Sequence, residues 1–275
     1  MHLFCFGLGY TAQALARRLS AKGWTVSGTS RHGGDHTIAF DGSSPVPASA
    51  FEGITHLLSS VPPGEAGDPV LNRHADDLKR LAPQLRWAGY LSTTGVYGDR
   101  HGAWVDETSP LAPSTKRGER RLAAETAWST LGLPLHVFRL AGIYGPGRNQ
   151  LVSILDGTAK RIVKEGQVFS RIHVEDIAGV LEASIAKPSP PRAYNVCDDE
   201  PCPPQDVIAF AAELLMRQPP PEIAFDDADL SPMARSFYAE SKRVANTRIK
   251  EELGYRLIYP SYRDGLAALL ATLPA

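Results

Sequence analysis

Leu3-Phe4-Cys5-Phe6-Gly7-Leu8-Gly9-Tyr10-Thr11-Ala12 opens the chain and decides its fold class. Leu3 to Phe6 is a continuous apolar run, the pattern of a strand buried on both faces. Ala12, Leu15, Ala16 and Leu19 then follow i, i+3, i+4, i+7 spacing, one apolar face of a helix. Between strand and helix, Gly7, Gly9 and Ala12 fit G-x-G-x-x-G/A in the context a dinucleotide-binding turn requires. Gly7 permits the tight turn, Gly9 lets the backbone approach a pyrophosphate, and Ala12 keeps helix close to strand. The helix start at Tyr10 and Thr11 offers free N–H groups and the positive dipole end to phosphates.

The same alternation continues outward. Gly23 closes the helix, and strands are predicted over 24–27, 38–40, 55–58, 88–92 and 135–138. Helical patterns at 71–82 and 116–131 lie between them, so the fold class is α/β, a Rossmann-type doubly wound parallel sheet. Beyond about residue 145, Pro/Gly-rich stretches separate helical faces at Ile177, Val180 and Leu181, across 205–216, and at Leu266 to Leu273. These predict a small, mostly helical C-terminal substrate domain.

Composition agrees with a small-molecule role. The 275 residues suit one large domain or two smaller ones, and 43% hydrophobic with 21% charged residues is a globular balance. Lys+Arg 29 against Asp+Glu 30 leaves a net charge of −1, so nucleic acid is not expected as a partner. No apolar run approaches the roughly 18 residues of a membrane span. The start of the chain has no basic n-region, and Cys5, Cys197 and Cys202 read as reduced thiols, although the last two could bridge. Cytoplasmic location is the expectation.

The end of the second strand selects the dinucleotide. NAD binders place Asp or Glu there on the ribose 2′-hydroxyl, but Gly28-Thr29-Ser30-Arg31 holds no carboxylate. Arg31 can make a charge-assisted fork to a 2′-phosphate, with Thr29 and Ser30 hydroxyls beside it. NADP is therefore expected over NAD.

Further segments follow in order: Ser92-Thr93-Thr94-Gly95-Val96-Tyr97-Gly98, Arg139 to Gly147, Arg171 to Ala178, Tyr194 to Pro201, and Leu253-Gly254-Tyr255 with Tyr259-Pro260. Together with the glycine loop they resemble the NAD(P)-dependent epimerase/dehydratase family, the extended short-chain dehydrogenase/reductases. The resemblance implies a Rossmann domain over 1–145 and 170–198, and a substrate lobe over 146–169 and 199–275. It implies that Asp41 meets the adenine amino group and that Val61 and Pro62 line the riboses. It also carries the family's tendency to form homodimers, and sugar nucleotides as one substrate class.

The family's catalytic Tyr-x-x-x-Lys is missing. Counting back from Glu125, the tyrosine position holds Arg117 and the lysine position Arg121. An arginine stays protonated and cannot act as a general base near neutrality. Arg121 could still place positive charge near the nicotinamide ribose, and Thr93 matches the family's Ser/Thr. Tyr97 is the nearest substitute phenol, though it more naturally packs in its loop. His101 reads as a surface histidine and Asp176 as a residue near a helix N-cap. Arg171 could face an anionic substrate group, and Lys242 and Arg243 read as a solvated helical face. Two functions stay open: an NADP-dependent oxidoreductase with Thr93 polarising the substrate oxygen, or an NADP-binding sensor without turnover.

Overall fold

The computed structural model describes residues 1–34 and 37–273. In chain order the first elements are β1 (His2–Phe6), α1 (Tyr10–Ser20), β2 (Thr25–Ser30), β3 (Thr37–Ala39), β4 (His56–Ser59), α2 (Pro69–Leu81), β5 (Trp87–Thr93) and β6 (Trp104–Val105). Then come α3 (Lys116–Ser129), β7 (Leu135–Leu140), β8 (Gly142–Tyr144), α4 (Gln150–Leu155), β9 (Arg161–Val163), β10 (Arg171–His173), α5 (Val174–Ala186) and β11 (Arg192–Val196). The C-terminal part carries α6 (Pro204–Leu214), β12 (Glu222–Ala224), α7 (Pro232–Phe237), β13 (Arg243–Val244), α8 (Thr247–Glu251) and α9 (Tyr262–Leu270).

One sheet has the order β11-β7-β5-β4-β1-β2-β3, and every neighbouring pair is parallel. This is the doubly wound α/β arrangement the sequence predicts. Strand order reverses between β1 and β4, and the diverging loops open a crevice beyond their carboxyl ends, where such folds bind ligands. Leu3 to Phe6 are fully buried because helices cover both faces. Ala12, Leu15 and Leu19 of α1 pack with Ile177, Val180 and Leu181 of α5 on one face. Val70 and Leu78 of α2 pack with Ala124 and Trp128 of α3 on the other. Asp68 starts α2: its Oδ1 accepts from the Val70 and Leu71 N–H groups, and its Oδ2 accepts from Trp128 Nε1 at 2.9 Å, tying α2 to α3.

A third apolar cluster joins Leu151 of α4, Val207 and Ala211 of α6, and Tyr262 and Leu266 of α9. β10 pairs with β8, β12 with β9, and β13 with β6, each as a two-stranded parallel ladder. These ladders are too short to show a hydrophobic period, and their formation overturns one expectation. Lys242 and Arg243 are not a solvated helical face: Arg243 starts β13 with its N–H on Ala103 O, and Lys242 is buried. Asp176 lies in the first turn of α5, near its N-cap as expected. His173 caps that helix, and Asp176 accepts from Tyr255 Oη, Ile258 N and Tyr259 N, pinning the later chain. The three cysteines are free and buried. No helix among the described residues is long and apolar enough to cross a membrane.

Candidate functional site

The glycine loop lies at the carboxyl end of β1, clamped from both sides. Gly7 has φ +81°, and a Cβ there would come within 2.8 Å of Ser60 Oγ and 3.2 Å of Val61 Cγ2. Its N–H donates to Thr29 Oγ1 at 2.9 Å, and its carbonyl accepts from Ser60 Oγ. Gly9 caps α1 without a side chain, and the first turn holds no acidic residue. A Cβ on Gly9 would meet nothing within 4 Å, so the space in front of the helix is open. Uncapped N–H groups facing open space fit a phosphate.

The other residues expected around a dinucleotide are distributed as follows. Thr11 and Ala12 are buried beneath the loop, and half-buried Tyr10 donates to Pro146 O at 3.0 Å, joining it to the Gly145–Gly147 turn. Val61 and Pro62 follow Ser60 at the end of β4. Arg31 is exposed just after β2. Its two neighbours do other work: buried Thr29 receives the Gly7 N–H, and Ser30 Oγ bonds Gly33 O and Thr37 Oγ1. Asp41 is exposed, and the Ser43 hydroxyl and N–H bound to it hold its carboxyl below the usual range.

Beyond the carboxyl ends of β5 and β7 lies a cavity of about 480 Å³. Thr93 and Leu140 end those strands and line it, facing Phe169, Arg171, Tyr238 and Lys242 from the C-terminal half. Thr93 Oγ1 accepts from Gly95 N at 3.2 Å, which leaves its hydroxyl hydrogen for a second partner. Arg117 lines the cavity from the first turn of α3, with its guanidinium 4.5 Å from the centre of the Phe237 ring. Arg121 points under the sheet end, donating to Tyr90 Oη and to Leu91 O at 2.8 Å.

Tyr97 does not reach the cavity. It is fully buried, donates to Asn195 Oδ1 at 2.7 Å and receives Arg139 Nη1 at 3.0 Å, while burial pushes its phenol pKa up. His101 is exposed and paired with Asp99. His173 is buried, with Nδ1 accepting from Glu175 N, and burial pulls it down to about 4, so the ring is neutral.

Two groups, one in the cavity wall and one behind it, escaped sequence reading. Lys242 and Glu240 form an ion pair in its wall, at 2.6 Å and 10% side-chain exposure each. Only the pairing of β13 with β6 turns that segment inward. Asp198 is 1% exposed behind Arg171; its Oδ1 accepts from Glu200 N, its Oδ2 has no partner, and burial pushes it up to about 8. The unfolded carboxyl ionises near its ordinary 3.8 and the folded one near 8, so native stability falls as pH rises through that window. Asp198→Asn should therefore gain about 1–3 kcal/mol on the parent between pH 4 and 8, the usual cost of a buried unpartnered group. Urea melts across that range test this, and a difference independent of pH would contradict it.

No family model matches the chain. Protein YeeZ of Escherichia coli K12 is 27% identical over 92% of this chain and 94% of its own. A 3-diazoavenalumate denitrifying reductase from a Streptomyces species is 28% identical over 78% and 69%. Among solved structures, a functionally unknown conserved protein from Silicibacter pomeroyi is 55% identical, with TM-score 0.91 over 98% of both chains. A Methylobacillus flagellatus protein, assigned by inference as an NAD-dependent epimerase/dehydratase, is 26% identical, with TM-score 0.71 over 98% of both chains. The human epimerase family protein SDR39U1, solved with NADPH, is 20% identical with TM-score 0.76, covering 99% of this chain and 100% of its own, and shares the fold. With its glycine loop, its sheet order and these likenesses, the chain has the fold of the NAD(P)-dependent epimerase/dehydratase proteins and is similar in sequence to one of them, with arginines at positions 117 and 121.

Proposed function

We propose that this protein is an NADP(H)-dependent oxidoreductase acting on a hydroxyl or carbonyl carbon of a small molecule held in the 480 Å³ cavity. The observation that carries it is the uncapped start of α1 at Gly9, open to solvent. A bound nicotinamide dinucleotide would supply the hydride acceptor or donor. The first-turn N–H groups of α1 would hold its pyrophosphate, with Val61 and Pro62 along the riboses. Arg31 would fork onto a 2′-phosphate without the hydroxyls of Thr29 and Ser30, which are engaged locally. Thr93 would donate its hydroxyl hydrogen to the substrate oxygen, polarising it. Sugar nucleotides, which some fold relatives bind, are one substrate class to test. The arginines at the Tyr and Lys positions, with Tyr97 buried, favour a second reading: a dinucleotide-binding sensor without turnover.

Calorimetric titration with NADPH and NADH, followed by a turnover screen on carbonyl compounds and UDP-glucose, separates these readings. Binding with turnover supports the oxidoreductase, binding without any turnover supports the sensor, and no binding of either dinucleotide removes both. Arg31→Asp should weaken NADPH about 10- to 100-fold, the worth of a charge-assisted contact, and leave NADH within about threefold. Equal losses for the two cofactors would take Arg31 out of the site.

A further inference from the structure

The described residues include three buried cations, Arg139, Arg171 and Lys242. Arg139 is paired with Glu125, and Lys242 with Glu240. Arg171, at 7% exposure, is in no ion pair among the described residues. It opens β10 on the cavity wall. Its Nη1 donates to Phe169 O and to Cys202 Sγ, both at 3.1 Å, and these two bonds hold the guanidinium plane in place. Nε and Nη2 have no partner among the described residues, so N–H donors remain from the five an arginine carries. Asp198 behind it makes no ion pair with it, and burial pushes that carboxyl up to about 8.

A buried, unpaired charge is costly, and the cost is offset when a ligand brings the opposite charge. A fixed guanidinium edge matches the two oxygens of a carboxylate. The apolar part of the wall comprises Leu140, Ile143, Ile162, Val168, Phe169 and Ile208, while exposed Arg117 and Lys160 also line the cavity. We propose that Arg171 anchors the carboxylate of an apolar organic acid in this cavity, and that such monoanionic acids, rather than nucleotide diphosphates, are the substrate class. Among the described residues Arg171 is the one buried cation of the wall without an ion pair, which matches one carboxylate, and the cavity volume lies in the ~300–1,000 Å³ range of small-molecule sites. The inference rests on the cavity being the substrate site of the oxidoreductase reading.

The test uses the full-length protein at pH 7, with and without saturating NADPH. Cinnamate, phenylpyruvate and octanoate are titrated beside cinnamamide, the uncharged analogue of the first, and UDP-glucose. Expected are binding of at least one acid, cinnamamide weaker than cinnamate by about tenfold or more, and UDP-glucose weaker than the best acid. Arg171→Met should weaken the acid about 10- to 100-fold without moving NADPH affinity, and Arg171→Lys should fall between. The acid–amide comparison needs no variant, so it decides even if Arg171→Met does not fold. Equal binding of acid and amide, binding unaffected by Arg171→Met, no binding by any of the acids, or tighter binding of UDP-glucose would each overturn the proposal. Acid binding through Arg171 without NADPH binding would sustain it and remove the oxidoreductase reading; NADPH binding without acid binding would do the reverse.

Discussion

Glu125→Gln should lower the unfolding free energy by about 3–5 kcal/mol, the cost of removing one partner from a buried ion pair. Glu125 and Arg139 are each 7% exposed at the side chain. Arg139 donates to the carboxylate from Nη2 at 2.9 Å and from Nε at 3.3 Å, and the Ser92 hydroxyl donates to the same group. Arg139 Nη1 continues to Tyr97 Oη, and Tyr97 to Asn195 Oδ1, so α3, β5, β7 and β11 meet in one polar network. Glutamine keeps the shape and removes the charge, leaving the guanidinium uncompensated in a place water does not reach. Chemical denaturation at pH 7 measures the loss, and a cost under 1 kcal/mol would contradict the network's role. Glu125→Leu with Arg139→Met should recover most of it, because an apolar pair carries no desolvation penalty. Thr93 and Leu140 directly follow Ser92 and Arg139, so the single variant should also loosen the cavity rim.

Gly7→Val should weaken NADPH binding roughly 100-fold, and more than any other single change in the glycine loop. A β-branched residue at φ +81° is strained by about 1–3 kcal/mol. Its Cβ would also press on Ser60 Oγ and Val61 Cγ2, so either β4's loop or the glycine loop must give way. The shift would be felt at the first turn of α1, three residues further on, where the N–H groups would aim at a pyrophosphate. A loss of about 2.7 kcal/mol in binding corresponds to that factor. Titration checks it, with circular dichroism to confirm that the variant is folded. Native affinity in a folded variant would mean that the loop does not hold the cofactor.

Particular residues show why part of the site was legible in advance. Leu3 to Phe6, the Gly7 turn and the Ala12 to Leu19 face carry local signals: burial on both faces, positive φ, and helical spacing. They read as strand, turn and helix because each element depends on its own residues. The predicted strands 88–92 and 135–138 stop short of Thr93 and of Arg139 and Leu140, because polar Thr93 and Arg139 interrupt the apolar runs. Those residues are held in strands by the pairing of Ser92 with Arg139 and Thr93 with Leu140. Thr29 and Ser30 looked like phosphate donors by proximity to Arg31, yet their hydroxyls serve the glycine loop and the β3 turn. Their sequence position said nothing about which side of the strand they face or what already occupies them.

The sequence by itself therefore determined the doubly wound sheet, the open helix start at Gly9, and the arginines at positions 117 and 121 where the family has Tyr and Lys. Tertiary structure alone decided what lines the cavity. Lys242 turns inward because a two-residue strand pairs with Trp104–Val105. Arg171 is left as a buried cation without an ion pair among the described residues because no carboxylate packs against its guanidinium. Periodicity and glycine turns are short-range and survive in any reading of the chain. A charge's partner, or its lack of one, depends on segments tens of residues apart and exists only once they have packed.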